Sequence, residues 1–379
     1  MAWKVPLFDI DINQEEIDAA TQVLQSGWLT MGDKTRQFEA ALGEMLGSKH
    51  VFVVNNGTAA LHLALAAAGI GPGDEIIVPS LTFVATANAI IYTGAVPVFA
   101  DVVSEADFTI SPKDIRAKIT PNTKGIMVMH YGGFPCHMDE INQIAQEEGL
   151  LVFEDTAHAP GARLHGKACG TFGVCGCFSF FSNKNMSMGE GGAVITDDDA
   201  VAEKIRLMRS HGMTTLTLDR YKGHSYSYDV VLPGYNYRPT EMQAALGFEQ
   251  LKKLPGYNSR RAEITRQYYQ KLEGVSGLSV PFKNHTGESC YHIFPILLDP
   301  EIDRTEFMGF LKENGVQTSI HYPPIHTFSH HCNLTESIRG NLELTEDICR
   351  REVTLPLYPK MTEKDVDTVV DVIKQFMQR

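Results

Sequence analysis

Apolar residues fall along this chain in short unbroken blocks rather than in strict alternation. "HVFVV" (50–54), "EIIVP" (75–79), "PVFADV" (97–102), "GIMVMHY" (125–131), "LLVFED" (150–155), "GCFSF" (176–180) and "GAVIT" (192–196) read as strands covered on both faces. Helix-length segments such as 58–68, 83–92 and 137–148 separate most of them. That alternation predicts βα units and an α/β fold: a mostly parallel seven-stranded sheet flanked by helices. Only a loop separates the last two blocks, so one of them has the option of pairing antiparallel.

The ends of the chain follow a helical period. Near the start, Asn13 and Glu16 read as a capping box, with Ile17, Ala20 and Leu24 on one face and a stop at Gly27. After about residue 240 the texture changes to long helical patterns, "TEMQAALGFEQLKKL" and "NSRRAEITRQYYQKLEG". A strand, "CYHIFPILLD", and a helix, "RTEFMGFLKENG", come next. The last segment sets Val366, Val369, Val370, Ile373, Phe376 and Met377 in one stripe behind a Thr362 cap. This predicts a large domain over 1–245 and a smaller α+β domain over 246–379.

Composition narrows the setting. The 379 residues are 43% hydrophobic and 21% charged, ordinary for a globular chain with a large core. No apolar run nears the ~20 residues that span a bilayer, and "MAWKVPLFDIDINQEE" turns acidic where a signal peptide needs an apolar stretch. Seven scattered cysteines fit a reducing compartment. The expected location is therefore the cytoplasm, with no membrane partner. The net charge of −13 and the lack of a basic cluster speak against nucleic acid. "CGC" (175–177) reads as buried strand, and "SHHC" (329–332) as a solvated loop rather than a metal site.

In open parallel sheets, ligands sit beyond the carboxyl ends of the strands. After 50–54 comes "NNGTAALHLAL", where Gly57 and Thr58 open a buried helix. Free N–H groups and a hydroxyl there suit a phosphate, although Asn56 and Thr58 also suit a plain cap. Phe83 follows 75–79 and suits stacking on a flat ligand. Asp155 closes 150–155, where a buried carboxylate needs a partner or a cation, and His158 lies three residues on. Ser179 and Ser182 follow 176–180 as phosphate donors. Lys184 sits beyond them, where partial desolvation makes an amine able to attack a carbonyl. "GARLHGKA" (161–168) has P-loop spacing, but Ala168 stands where magnesium needs Ser or Thr. Phosphate cradle, stacking aromatic, aspartate and lysine together match the needs of pyridoxal 5'-phosphate.

These motifs resemble one family across nearly the whole chain. "SGWLTMG", "NNGTAALHLAL", "GDEIIVPSLTFVATANAI", "EDTAHAPGA", "FSFFSNKNMSMGEGGAVIT", "GYNYRPTEMQAALG", "YHIFPI" and "HYPP" are similar, in order and spacing, to the DegT/DnrJ/EryC1/StrS sugar aminotransferases. The resemblance implies a fold-type I pyridoxal-phosphate transaminase with Lys184 as its Schiff-base lysine. It implies Asp155 at the ring nitrogen, Phe83 on the ring, His158 near the ring hydroxyl, and Gly57, Thr58 and Ser179 at the phosphate. Asn236 would reach the phosphate from the neighbouring subunit of a homodimer. L-Glutamate would be the amino donor and a nucleotide-linked keto-deoxy sugar the acceptor. Glu190 matches the motif without an assigned role. Val174 stands where relatives often carry an acid, which reads as a local packing change. A non-transaminating relative, such as a sugar dehydratase, and a silent binding protein are the alternatives; the presence of Lys184 favours transamination.

Overall fold

The structure is a computed structural model that describes residues 3–215, 227–334 and 340–379. Seven strands form the main sheet: β1 (His50–Val54), β2 (Glu75–Pro79), β3 (Val96–Ala100), β4 (Thr123–Met129), β5 (Leu151–Asp155), β6 (Cys175–Ser179) and β7 (Gly192–Thr196). Their order is β1-β7-β6-β5-β4-β2-β3. Every pairing is parallel except those of β7, which runs antiparallel to both β1 and β6. The expected α/β architecture is therefore present, with the one reversal where a bare loop joins β6 to β7. The block expected at 97–102 is cut at Asp101. Its carboxylate accepts from Val102 N and from Thr345 N and Oγ1. Val102–Ser104 then leaves the sheet to pair with Asp107–Ile110.

Helices α1 (Gln14–Ser26), α2 (Asp33–Leu46), α3 (Gly57–Ala67), α4 (Val84–Tyr92), α5 (Pro112–Lys118), α6 (Met138–Glu148) and α7 (Asp199–Met208) accompany this sheet. Eight of the eleven residues of α3 are buried, because it is wedged against β6, β7, α4 and α7. The capping box of α1 forms, and Gly27 ends the helix at φ 69°. The face that α1 buries differs from the expected one. Glu16, Ala19 and Val23 turn inward, while Ile17 and Leu24 are more than half exposed. The cause is a polar anchor: Glu16 accepts from Gln250 Nε2 at 2.6 Å and pairs with Lys253 at 2.5 Å, which rotates the helix toward α8 (Glu241–Lys271).

The two helical patterns after residue 240 fuse into α8, 31 residues long and continuous through Pro255. Beyond it, β8 (Leu278–Ser279), β9 (Phe294–Leu298) and β10 (Glu352–Leu355) form an antiparallel sheet. Helices α9 (Arg304–Glu313), α10 (Glu343–Arg351) and α11 (Glu363–Met377) complete this part. The α11 stripe is as expected: Val366, Val369, Val370 and Ile373 are buried, Phe376 and Met377 pack at the margin, and Thr362 caps. "GARLHGKA" forms a short hairpin, Arg163–Leu164 against Lys167–Ala168, so nothing there opens a helix onto a phosphate. Among the described residues no helix is long and apolar enough to cross a membrane.

Candidate active site

The carboxyl ends of β1, β2, β5 and β6 open onto one cavity of about 800 Å³. Gly57, Thr58, Phe83, Asp155, His158, Ser179 and Lys184 all line it, as does Glu190. Ser182 does not, and neither does Asn236, which was expected at the neighbouring subunit's phosphate rather than at this one. Ser182 donates to Gly189 O at 3.1 Å, which spends its hydroxyl on the loop itself. Asn236 is exposed, with its backbone bridged to Ser210 outside this chain's cavity.

At one end lies the N-terminus of α3. Asn56 does cap it, accepting from Ala59 N at 2.8 Å, and this leaves the Gly57 and Thr58 amides as the free first donors of the helix. Gly57 is required by close approach: a Cβ there would stand 2.8 Å from Ser179 Cβ. Gly192 is held likewise, since a Cβ would lie 2.6 Å from Asn56 O and 2.7 Å from Phe178 O. The cradle thus exists because three backbones converge where β6, β7 and α3 meet.

Asp155 lies at the end of β5 and is 4% exposed. Oδ2 accepts from Thr86 Oγ1 at 2.8 Å and Oδ1 from Ala157 N at 3.0 Å. Among the described residues no ion pair reaches it. Burial raises its pKa, and the hydrogen bonds from Ala157 and Thr86, with the charges of Lys184 and His130, only partly oppose that. Lys184 follows the turn after β6, its N–H bonded to Phe181 O at 2.9 Å. Burial lowers its pKa to about 8, against the pull of Asp155 and Cys290. A ring with a protonated nitrogen would supply the cation that Asp155 lacks, and an aldehyde would meet an amine that is part neutral. The residues present therefore fit pyridoxal phosphate.

His158 is 1% exposed and its pKa is held well below the ordinary value, first by burial and then by the charges of Lys184 and His321. Its Nε2 is 2.8 Å from Tyr322 Oη. Tyr322 also faces Phe83, ring centroids 5.7 Å apart. His292 packs against His158 at 4.3 Å and bonds Asn185 Oδ1 at 2.9 Å. Asn183 Oδ1 is buried without a hydrogen-bond partner among the described residues. Asn183, His321, Tyr322 and Tyr237, all lining the cavity, went unassigned from the sequence. The motifs "HYPP" and "GYNYR" held three of them, but only the fold shows which side chains face inward.

"SHHC" (329–332) is solvated as expected except at His331, and it belongs to a longer segment that starts at His326. His326 is buried and bonds Ser80 Oγ at 2.7 Å, and His331, 3% exposed, bonds Asn88 Oδ1 at 3.1 Å. Both histidines dock the segment onto the end of β2 and onto α4, while Ser329, His330 and Cys332 are exposed. Cys175 and Cys177 are buried strand residues, as expected. Val174 packs against the large core.

Residues 10–374 match the model of the "DegT/DnrJ/EryC1/StrS aminotransferase family". The chain is 40% identical to the spore coat polysaccharide biosynthesis protein SpsC of Bacillus subtilis (strain 168), over 100% of this chain and 97% of that one. The structure superposes with a TM-score of 0.91 on Helicobacter pylori PseC, an aminotransferase involved in the biosynthesis of pseudoaminic acid. That match has 28% identity and covers 100% of both chains. It superposes at 0.88 on DesI, crystallised in the presence of its TDP-sugar product, with 29% identity over 100% of this chain and 93% of that one.

Proposed function

The chain belongs to the DegT/DnrJ/EryC1/StrS aminotransferase family, whose members depend on pyridoxal phosphate, and on that premise we propose that it moves an amino group from L-glutamate to a nucleotide-linked keto-deoxy sugar by a ping-pong mechanism. The observation that carries this reading is one cavity holding both a desolvated Lys184 amine and a buried Asp155 carboxylate that no ion pair reaches among the described residues. DesI's TDP-sugar product supports the nucleotide-linked acceptor. A cavity of about 800 Å³ also leaves room for a sugar beside a cofactor. The enzyme would work in the cytoplasm, with residues 1–245 carrying the cofactor machinery and 246–379 forming the smaller domain.

Bound pyridoxal phosphate supplies an aldehyde that condenses with amines and a ring that accepts electrons. Gly57, Thr58 and Ser179 would hold its phosphate, Phe83 its ring face, Asp155 its ring nitrogen, and His158 would sit by its hydroxyl. The partner subunit's Asn236 would complete the phosphate grip in a homodimer. Lys184 Nζ acts twice. As a neutral amine it is the nucleophile; once displaced by the donor it takes a proton from the donor's Cα and returns one to the acceptor carbon in the second half-reaction. Asp155 holds a proton opposite its carboxylate, and Thr86 and Ala157 N fix the orientation of that carboxylate.

The test is spectroscopic. The cofactor-loaded protein should absorb in the visible at roughly 400–430 nm, and L-glutamate should bleach that band toward the near ultraviolet. One member of a panel of nucleotide keto-sugars should then restore it. A band that ignores every amino donor overturns the reading.

A further inference from the structure

Glu352 on β10 is 1% exposed and plays no part in the chemistry above, yet a hydrogen-bonded chain links it to the cavity. Its Oε2 accepts from His321 N at 2.8 Å, and its Oε1 lies 2.5 Å from Thr354 Oγ1. Thr354 Oγ1 is in turn 2.8 Å from His321 Nδ1. Thr354 cannot drift, because its N–H and C=O both bond Ser319. His321 lines the cavity with Lys184 and Tyr322. Its Nε2 has no protein partner among the described residues. We propose that His321 donates a hydrogen bond from Nε2 to an oxygen of the substrate, and that the proton on Glu352, relayed by Thr354, decides whether that donor exists.

The logic is one of proton counting. Glu352 Oε2 is committed to a backbone donor, so its own proton can sit only on Oε1. With that proton present, the carboxyl donates to Thr354 Oγ1, Thr354 donates to His321 Nδ1, and the imidazole carries its hydrogen on Nε2, facing the cavity. With the carboxyl ionised, Thr354 donates to Oε1 and accepts from Nδ1–H. Nε2 is then a bare acceptor. His321 stays uncharged in both arrangements: burial, and then the charge of Lys184, lower its pKa to about 3. Burial lifts Glu352 to about 8, opposed by Thr354, the His321 amide and Arg304. The other titratable groups around this chain are Tyr131, whose hydroxyl donates to His321 O, and Tyr322, Cys349, His158 and His292. Burial holds the tyrosines and the thiol protonated and the histidines neutral. Lys184, whose amine titrates near 8 in the free chain, would be taken up by the aldehyde in the cofactor-loaded protein, which leaves Glu352 as the titrating group of this chain there. Near neutrality, then, His321 offers a donor suited to a carbonyl or hydroxyl oxygen.

The substrate half of this proposal rests on the function proposed above; the relay half does not. The relay is tested on the cofactor-loaded protein without substrate, by nitrogen NMR of labelled histidine, with the His321 signals assigned by their loss in His321→Gln. Nε2 should be the protonated nitrogen at pH 6.5, and the two nitrogens should exchange roles with a midpoint near 8. Glu352→Gln must present its carbonyl to the His321 amide and its NH2 to Thr354, so it should hold Nε2–H at every pH. A tautomer unchanged between about pH 6 and 10 in the wild type, or one still switching in Glu352→Gln, overturns the relay. The substrate half is read with the acceptor sugar at about pH 7. Thr354→Val should raise its KM roughly three- to tenfold with the glutamate half-reaction unchanged, and Thr354→Ser should restore it. Equal losses in both half-reactions would refute the substrate contact even where the relay stands.

Discussion

At Lys184, burial and the Asp155 carboxylate act on one amine with opposite signs. Burial disfavours the charged form and brings the pKa to about 8; Asp155 favours the charged form and holds it from falling further. The neutral, nucleophilic fraction therefore grows as pH rises through about 8. Imine formation by the apoprotein with a simple aldehyde, trapped by borohydride, should follow that curve, and in Asp155→Asn its midpoint should move down. A midpoint that moves up, or stays near the ordinary lysine value of about 10.4, would contradict the assignment. Both residues were legible in the sequence, for a chemical reason. An ionisable group placed directly after an apolar strand is costly unless it has a use, so Asp155 and Lys184 were conspicuous. Asn183, His292 and His321 were not, because polar residues in loops are ordinary and their inward aim is set by the fold: His292 is held by Asn185, 107 positions away, and His321 by Thr354, 33 positions away.

At the scale of elements, the sheet and its helices followed from local pattern, whereas the joints between them did not. The N-terminus of α2 illustrates this. Glu241, the first residue of α8, accepts from Gly32 N, Lys34 N, Thr35 N and Thr35 Oγ1 at 2.7–2.9 Å, so a carboxylate from 206–209 positions away caps this helix. Glu241→Ala would leave those buried donors without partners. It should lower unfolding stability by about 3 kcal/mol, read as a shifted denaturant midpoint with unchanged slope. The cofactor cradle offers a second test. Gly57→Ala drives a methyl into Ser179, an overpacking cost of roughly 1–3 kcal/mol that should weaken cofactor binding about 5- to 150-fold in an absorbance titration. Gly309→Ala, in open space on α9, should leave that binding unchanged. The error in the α1 face belongs here too. Its apolar periodicity was real, but the Glu16 contacts to Gln250 and Lys253 chose which side turned inward.

The whole molecule leaves apolar side chains uncovered beside the cavity mouth and along its N-terminal helix. Ile17, Leu24, Leu29, Phe83, Tyr92 and Phe181 are each more than 40% exposed in the single chain. A homodimer that shares its active sites would cover them and would bring Asn236 to the partner's cradle. Subunit mixing tests the sharing. Lys184→Ala and Asn236→Ala proteins, each inactive or weak alone, should regain about a quarter of wild-type activity after unfolding and refolding together, since half the dimers are mixed and each mixed dimer holds one intact site. No gain on mixing would mean that each chain completes its own site.

The order of apolar blocks, by itself, determined a doubly covered, mostly parallel sheet, because burial on both faces demands continuous apolar strands. It also placed phosphate, ring and amine groups at strand ends, because parallel strands send those ends to one edge. Only the tertiary structure decided which face of α1 is buried, that His331 docks rather than dangles, and that Glu352 and His321 communicate through Thr354. Those outcomes depend on single hydrogen bonds between residues far apart in the chain, and no local periodicity encodes such a contact.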